Sequence, residues 1–160
     1  MAFISIVIKK IRIYRPLIKT LQTGLLLATA VAGFMSTRSP VPDIGKLTGL
    51  CTSMFLVISG STVLNMWWDR DIDAKMGRTK KRPTSSGLVT AKEVLYLGLI
   101  LSIPGVVLAV LLDLLYGLVV FSGLFFDVVV YSIWLKRRSC WGILWGGVAG
   151  AMPVFAGRLL

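Results

Sequence analysis

The sequence predicts an all-α fold, a multi-pass bundle of about five transmembrane helices, and three observations carry that prediction. Of its 160 residues, 56% are hydrophobic and only 16% charged, with a mean hydropathy of +0.81; a soluble domain carries about a quarter charged residues. The charges are clustered, leaving apolar stretches at Leu21–Thr37, Leu47–Trp68, Val94–Leu112 and Ser139–Gly157, and a further one, Leu114–Leu135, broken only by Asp127. Each approaches the roughly 20 residues that a helix needs to cross about 30 Å of hydrocarbon. Finally, fifteen of the eighteen Lys and Arg residues fall in alternate connections. That asymmetry is the positive-inside pattern, and it predicts a cytoplasmic N-terminus in a cell membrane or an inner organellar membrane.

Each element has a local reason. Lys9, Lys10, Arg12, Arg15 and Lys19 precede the first span, which differs from a signal sequence because a continuous membrane domain follows it. Arg38-Ser-Pro-Val-Pro-Asp43 is a turn-rich outer loop. Trp67 and Trp68 fall where the second span meets the headgroups. Thr90-Ala-Lys-Glu93 has capping-box spacing, so the third span is expected to start at Ala91. Pro104 lies inside that span, where neighbouring helices tolerate it. Lys136, Arg137 and Arg138 separate the last two spans, and Gly146, Gly147, Gly150 and Ala151 read as close helix packing in the fifth.

The composition also excludes function classes. The net charge of +11 comes from loop clusters and not from a hydrophilic surface, which argues against a nucleic-acid partner. With no histidine there is no Ser-His or Cys-His triad and no histidine metal or haem ligand. Cys51 and Cys140 stand far apart, without the spacing of a thiolate site.

One constellation carries chemistry. Asn65, Asp69 and Asp73 are spaced i, i+4, i+8, so they drift about 40° per step and share one helix face. Asp71 points roughly 160–200° away by the same arithmetic. Two carboxylates one turn apart at a membrane helix mouth repel each other and are costly to desolvate. A divalent cation relieves both penalties, and an all-oxygen donor set suits Mg²⁺, which completes its shell with water and substrate phosphates. Arg78, Lys80, Lys81 and Arg82 follow directly, five to thirteen residues beyond the acids, where guanidinium and ammonium groups can hold phosphate. The bland alternative is that these acids and bases pair with each other, or that the basic run only sets topology. Asp127, deep in the fourth apolar stretch, is an unpaired-looking membrane carboxylate and a site candidate by default; a structural acid is the equal alternative.

The stretch Asn65–Gly87 resembles the first aspartate-rich motif of the UbiA superfamily of intramembrane prenyltransferases: Asn, three residues, Asp, three residues, Asp, then Arg-Thr-x-x-Arg-Pro and a later Gly. Within the superfamily, Asp69 to Pro83 is most similar to the protoheme IX farnesyltransferases (haem O synthases). Tyr131-Ser-Ile-Trp-Leu-Lys-Arg-Arg138 and Gly146-Gly-Val-Ala-Gly-Ala-Met-Pro153 resemble later segments of that group, and Arg15-Pro16 with Ala28-Thr-Ala-Val-Ala-Gly33 echo its opening. The resemblance implies transfer of a farnesyl group from farnesyl diphosphate to a vinyl group of haem B, with Mg²⁺. It implies Asp69 and Asp73, with Asn65, as metal–diphosphate ligands, and Arg78 and Arg82, helped by Lys81, as the diphosphate clamp. Tyr131 would face the carbocation, and Lys136 and Arg137 would bind phosphate or a propionate.

The pattern also departs from the superfamily's. A second aspartate-rich motif is expected in the C-terminal half of a bundle of about nine helices, whereas after Asp73 the acids here are Glu93, Asp113 and Asp127. Residues 1–160 therefore read as a single UbiA-like domain, incomplete at its C-terminus, with a homo-oligomer that doubles the first motif as the alternative. An aromatic or glycerol-phosphate acceptor, or a non-catalytic membrane remnant that binds diphosphate, are the competing functional readings.

Overall fold

A computed structural model describes residues 14–37, 43–77, 79 and 82–160. Helix α1 spans Thr20–Met35, α2 Ile44–Lys75, α3 Ala91–Leu112, α4 Leu114–Phe125 and α5 Gly142–Leu159. A 3₁₀ turn at Arg15–Ile18 precedes α1, and a π-helix, Phe126–Leu135, continues α4. Four of these rods, α2, α3, α4 with its π extension, and α5, are long and apolar enough to cross a membrane; α1 is shorter. No strand occurs among the described residues. The chain is a multi-pass helical membrane protein.

The long central helix organises the rest. With 32 residues, α2 is about 48 Å long and outreaches a 30 Å hydrocarbon core. Asp43 starts it, its side chain accepting from the Gly45 and Lys46 amides. From Val57 to Leu64 every residue is buried, so this stretch is enclosed on all sides. Its last two turns carry Asp69 and Asp73, both buried, with Asp71 exposed on the opposite side.

Helix α3 begins at Ala91, as its capping box predicts. The Glu93 amide donates to the Thr90 hydroxyl (3.3 Å), and the Thr90 amide to the Glu93 carboxylate (2.9 Å). A single residue, Asp113, joins α3 to α4 and caps the latter by accepting from the Tyr116 amide (2.9 Å). The buried Tyr116 hydroxyl then meets Ser53 Oγ at 2.7 Å, tying α4 to the N-terminal half of α2.

Close packing falls on other glycines than expected. A Cβ at Gly147 or Gly150 would meet nothing within 4 Å, although Gly146 does lie against the Tyr131 ring. Backbone contact occurs at Gly33 and Gly157, where α1 and α5 cross with the Val154 and Ala30 carbonyls in the space a Cβ would need. Gly60 and Gly98 do the same between α2 and α3. Without a hydrophobic drive between helices in lipid, such close approach supplies the association through dispersion contacts.

Two apolar clusters result. One, around Phe34, Leu50, Met54, Tyr116 and Val120, fills the half near the α3–α4 connection. The other, around Leu17, Val63, Met66, Val89 and Val94, supports the end where α2 carries its acids. A cavity of about 280 Å³ opens among α1, α2, α4 and α5.

Candidate active site

The site is built where α2 faces the π-helix. A π-helix closes i→i+5 turns and is found mostly at functional sites. Here it presents Asp127, Ser132 and Lys136 in succession to Ser61, Asn65 and Asp69, which are spaced by four along α2. Asp127 Oδ2 accepts from the Ser61 hydroxyl and from Asn65 Nδ2, the latter at 2.7 Å. Asn65 Oδ1 accepts from Ser132 Oγ at 2.7 Å, so both ends of its amide are held. One turn on, Lys136 Nζ pairs with Asp69 Oδ2. Asp127 is thus a partnered acid and not the isolated carboxylate its sequence context suggests, and its hydrogen bonds offset its removal from water.

At the mouth, the same pairing logic extends outward. Arg82 Nη1 lies 2.5 Å from Asp73 Oδ2. The buried Thr79 hydroxyl donates to the Asp73 carbonyl (3.0 Å), folding the loop after α2 back over its own end. Arg137 holds Asp71 with both terminal nitrogens (2.7 and 2.9 Å), donates to the Trp68 carbonyl and covers the Trp68 ring at 5.3 Å. The planar guanidinium suits that fork. Arg137 is therefore engaged by Asp71, on the outside of α2, while Lys136 beside it reaches inward.

The acids and bases do pair with each other, and one atom is left over. Asp69 is 5% exposed, and its Oδ1 is buried with no hydrogen-bond partner among the described residues. An orphaned carboxylate oxygen in such a place calls for a positive ligand. Asp69 and Asp73 together present the one or two carboxylates that Mg²⁺ takes before phosphates and water complete its shell, so the donor set fits a hard divalent cation. No group of three carboxylates or thiolates gathers among the described residues. This part of the protein would therefore supply part of a coordination shell.

The cavity meets this run of polar groups at its Ser61–Asp127 end. Leu25, Leu26, Val57, Ile58 and Val120 make its apolar wall, Gly146 and Gly150 its floor on α5, and Ser61 and Asp127 its polar edge. Tyr131 lies at that end of the bundle with Lys136 Nζ over its ring at 5.5 Å, and is not part of the cavity wall. Arg78 and Lys81 lie outside the described residues.

The structure thus brings Asn65, Asp69, Asp73, Arg82 and Lys136 together, and adds residues the sequence does not single out. Ser61 was hidden in an apolar run; its i, i+4 spacing to Asn65 and Asp69 was the available signal. Ser132 sits between two candidates, Tyr131 and Lys136. Lys19 has its ammonium close enough to feel Arg82, Lys136, Asp127 and Asp69, and its pKa is pushed below the usual lysine range, mainly by burial and then by the two neighbouring cations. In the sequence it reads only as one more basic residue ahead of a span.

Comparison with known proteins supplies the family. Residues 26–159 match the UbiA prenyltransferase family. The chain belongs to that family. It is 48% identical over 139 residues to a protoheme IX farnesyltransferase of Archaeoglobus fulgidus, covering 87% of this chain and 49% of that protein. Proteins of the same name from Korarchaeum cryptofilum (43% over 141 residues; 88% and 47%) and Pyrobaculum neutrophilum (39% over 148 residues; 92% and 53%) are similar. The chain spans about half the length of these UbiA relatives. No solved structure matches it.

Proposed function

We propose that these five helices carry the diphosphate-binding half of a prenyltransferase that moves a farnesyl group from farnesyl diphosphate to a vinyl group of haem B, giving haem O. The observation that carries this is the buried pair Asp69 and Asp73, braced by Lys136 and Arg82 and joined through Asn65 to the Ser61–Asp127 edge of an apolar cavity. The haem acceptor follows the names of the relatives.

The chemistry suits the residues. Ionising an allylic diphosphate separates charge, and cations already in place at the departing oxygens stabilise that separation without reorganising. Arg82 and Lys136 are such cations, and Asp69 and Asp73, with Asn65, would hold the Mg²⁺ that neutralises further diphosphate charge. When diphosphate binds, its oxygens compete with the carboxylates for Arg82 and Lys136. The apolar wall keeps water from the carbocation and receives the isoprenoid tail. A vinyl group is a neutral nucleophile and needs no strong base to activate it, which a chain without histidine can serve. By the positive-inside pattern, the mouth opens on the cytoplasmic side.

The test is product mass. Protein purified from its own membranes, given haem B, farnesyl diphosphate and Mg²⁺, is expected to yield haem O, and chelation of the metal is expected to stop it. Product from 4-hydroxybenzoate, a naphthoate or a glycerol-phosphate ether instead would move the assignment to another acceptor within the family.

A further inference from the structure

Among the described residues, the mouth of the site holds a cation, Lys19, that no acid pairs with. Asp69 is taken by Lys136 and Asp73 by Arg82, while Asp127 is satisfied by neutral donors from Ser61 and Asn65. Lys19 is half-buried beside these groups, yet its ammonium makes no hydrogen bond or ion pair among the described residues. Burial, Arg82 and Lys136 disfavour its charge more than Asp127 and Asp69 favour it, and an arriving anion would offset that.

The backbone holds Lys19 in place at a cost. With φ 46° and ψ 61°, it is the sole non-glycine residue of positive φ among the described residues. That left-handed turn converts the 3₁₀ segment into α1. It is pinned by the fully buried Leu17, by the Thr23 hydroxyl donating to the Ile18 carbonyl (2.8 Å), and by the Thr62 hydroxyl of α2 reaching the same turn. Strained non-glycine positions persist where the surroundings over-determine them, and they concentrate at ligand clamps.

Its position along α1 indicates the ligand. Lys19 immediately precedes α1 in a left-handed turn that Thr62, the neighbour of Ser61, reaches from α2. Gln22, Leu25 and Leu26 in the first two turns of α1 line the cavity that Ser61 and Asp127 edge. In succession the segment offers an ammonium unpaired among the described residues, an amide and leucines. It suits an amphiphile with a phosphate-type head and a branched apolar tail.

We propose that Lys19 is a third cationic contact to the diphosphate, reaching from α1 across the mouth towards Arg82 and Lys136. This rests on the prenyl-diphosphate reading above. The lowered pKa of Lys19 agrees with it, because an arriving polyanion would restore what burial and the neighbouring cations take away.

Binding of farnesyl diphosphate and of inorganic diphosphate, each with Mg²⁺, is measured by titration calorimetry on the protein in phosphatidylcholine nanodiscs. Lys19→Met is expected to weaken both about tenfold or more, in line with loss of a charge-assisted hydrogen bond, and Lys19→Arg to recover most of the affinity. Lys19→Gly supplies a readout independent of folding damage: it removes the ammonium and relieves the positive φ, so it should melt at or above the unsubstituted protein while binding diphosphate as poorly as Lys19→Met. If Lys19→Met binds both ligands normally while Arg82→Met does not, Lys19 lies outside the site and the inference is overturned. If Lys19→Met alters only retention of anionic lipid in mixed-lipid nanodiscs, the ammonium serves a headgroup and the inference is again overturned. Failure of the unsubstituted protein to bind either diphosphate would sink the underlying reading as well.

Discussion

The seam between α1 and α5 and the seam between α2 and the π-helix join helices of one bundle by opposite means. At Gly33 and Gly157 the backbones touch, and shape does the holding. Along α2 and the π-helix the contacts are carboxylates, an amide, hydroxyls and cations, in a run from Ser61 to Asp71. The first seam has no chemistry to perform and can be packed to its limit. The second leaves Asp69 Oδ1 unpartnered, an arrangement that is costly at rest and useful only when a ligand arrives. On the function proposed above, packing holds one seam and the other carries the chemistry.

The largest effect that would sharpen this contrast is on activity. Asp69→Asn and Asp73→Asn are each expected to lower haem O formation at least 100-fold, the scale of losing one electrostatic contributor to a charge-separating transition state. Their melting temperatures in nanodiscs should fall far less than their rates. Full activity in both variants would remove the carboxylates from the site.

Next comes the apolar seam. Gly157→Leu would drive a side chain into the Ala30 carbonyl, and overpacking of this kind costs about 3 kcal/mol or more because backbone has to move. Unfolding should show the loss, while the protein that stays folded keeps its affinity for diphosphate. A wild-type melting curve would mean that α1 and α5 do not meet there.

A smaller effect tests the bridge between the seams. Asp127→Asn keeps shape but replaces an acceptor-only group with one that must also donate, so Asn65 is expected to lose its fixed orientation. We expect about a tenfold fall in kcat with little change in affinity for farnesyl diphosphate. Equal losses in both would point to general disruption of the mouth.

The smallest is Thr90→Ala, which removes the capping bonds between Thr90 and Glu93 at the start of α3 and should cost about 1 kcal/mol of stability with turnover unchanged. A change in turnover would show that α3 is coupled to the site after all.

Local rules made much of this legible before any coordinates. The capping box put the start of α3 at Ala91, and the four-residue spacing put Asn65, Asp69 and Asp73 on one face with Asp71 opposite. These features depend on residues within one or two turns of each other, so the helix repeat alone decides them. Gly147 and Gly150 misled because small residues indicate that a close approach is allowed somewhere, without indicating which helix arrives. Asp127 looked isolated because its partners, Ser61 and Asn65, lie 66 and 62 residues away.

The sequence by itself determined a basic, histidine-free, multi-span helical protein with a carboxylate face and a cationic loop at the end of its second span. Hydropathy, charge asymmetry and helical periodicity are properties of neighbouring residues, and the membrane leaves them few outcomes. Only the tertiary structure decided which acid meets which base, that Lys19 takes a left-handed turn ahead of α1, and that the π-helix keeps step with α2. Those outcomes depend on the rotation and depth of each helix against its neighbours, which are set by packing among residues far apart in the chain.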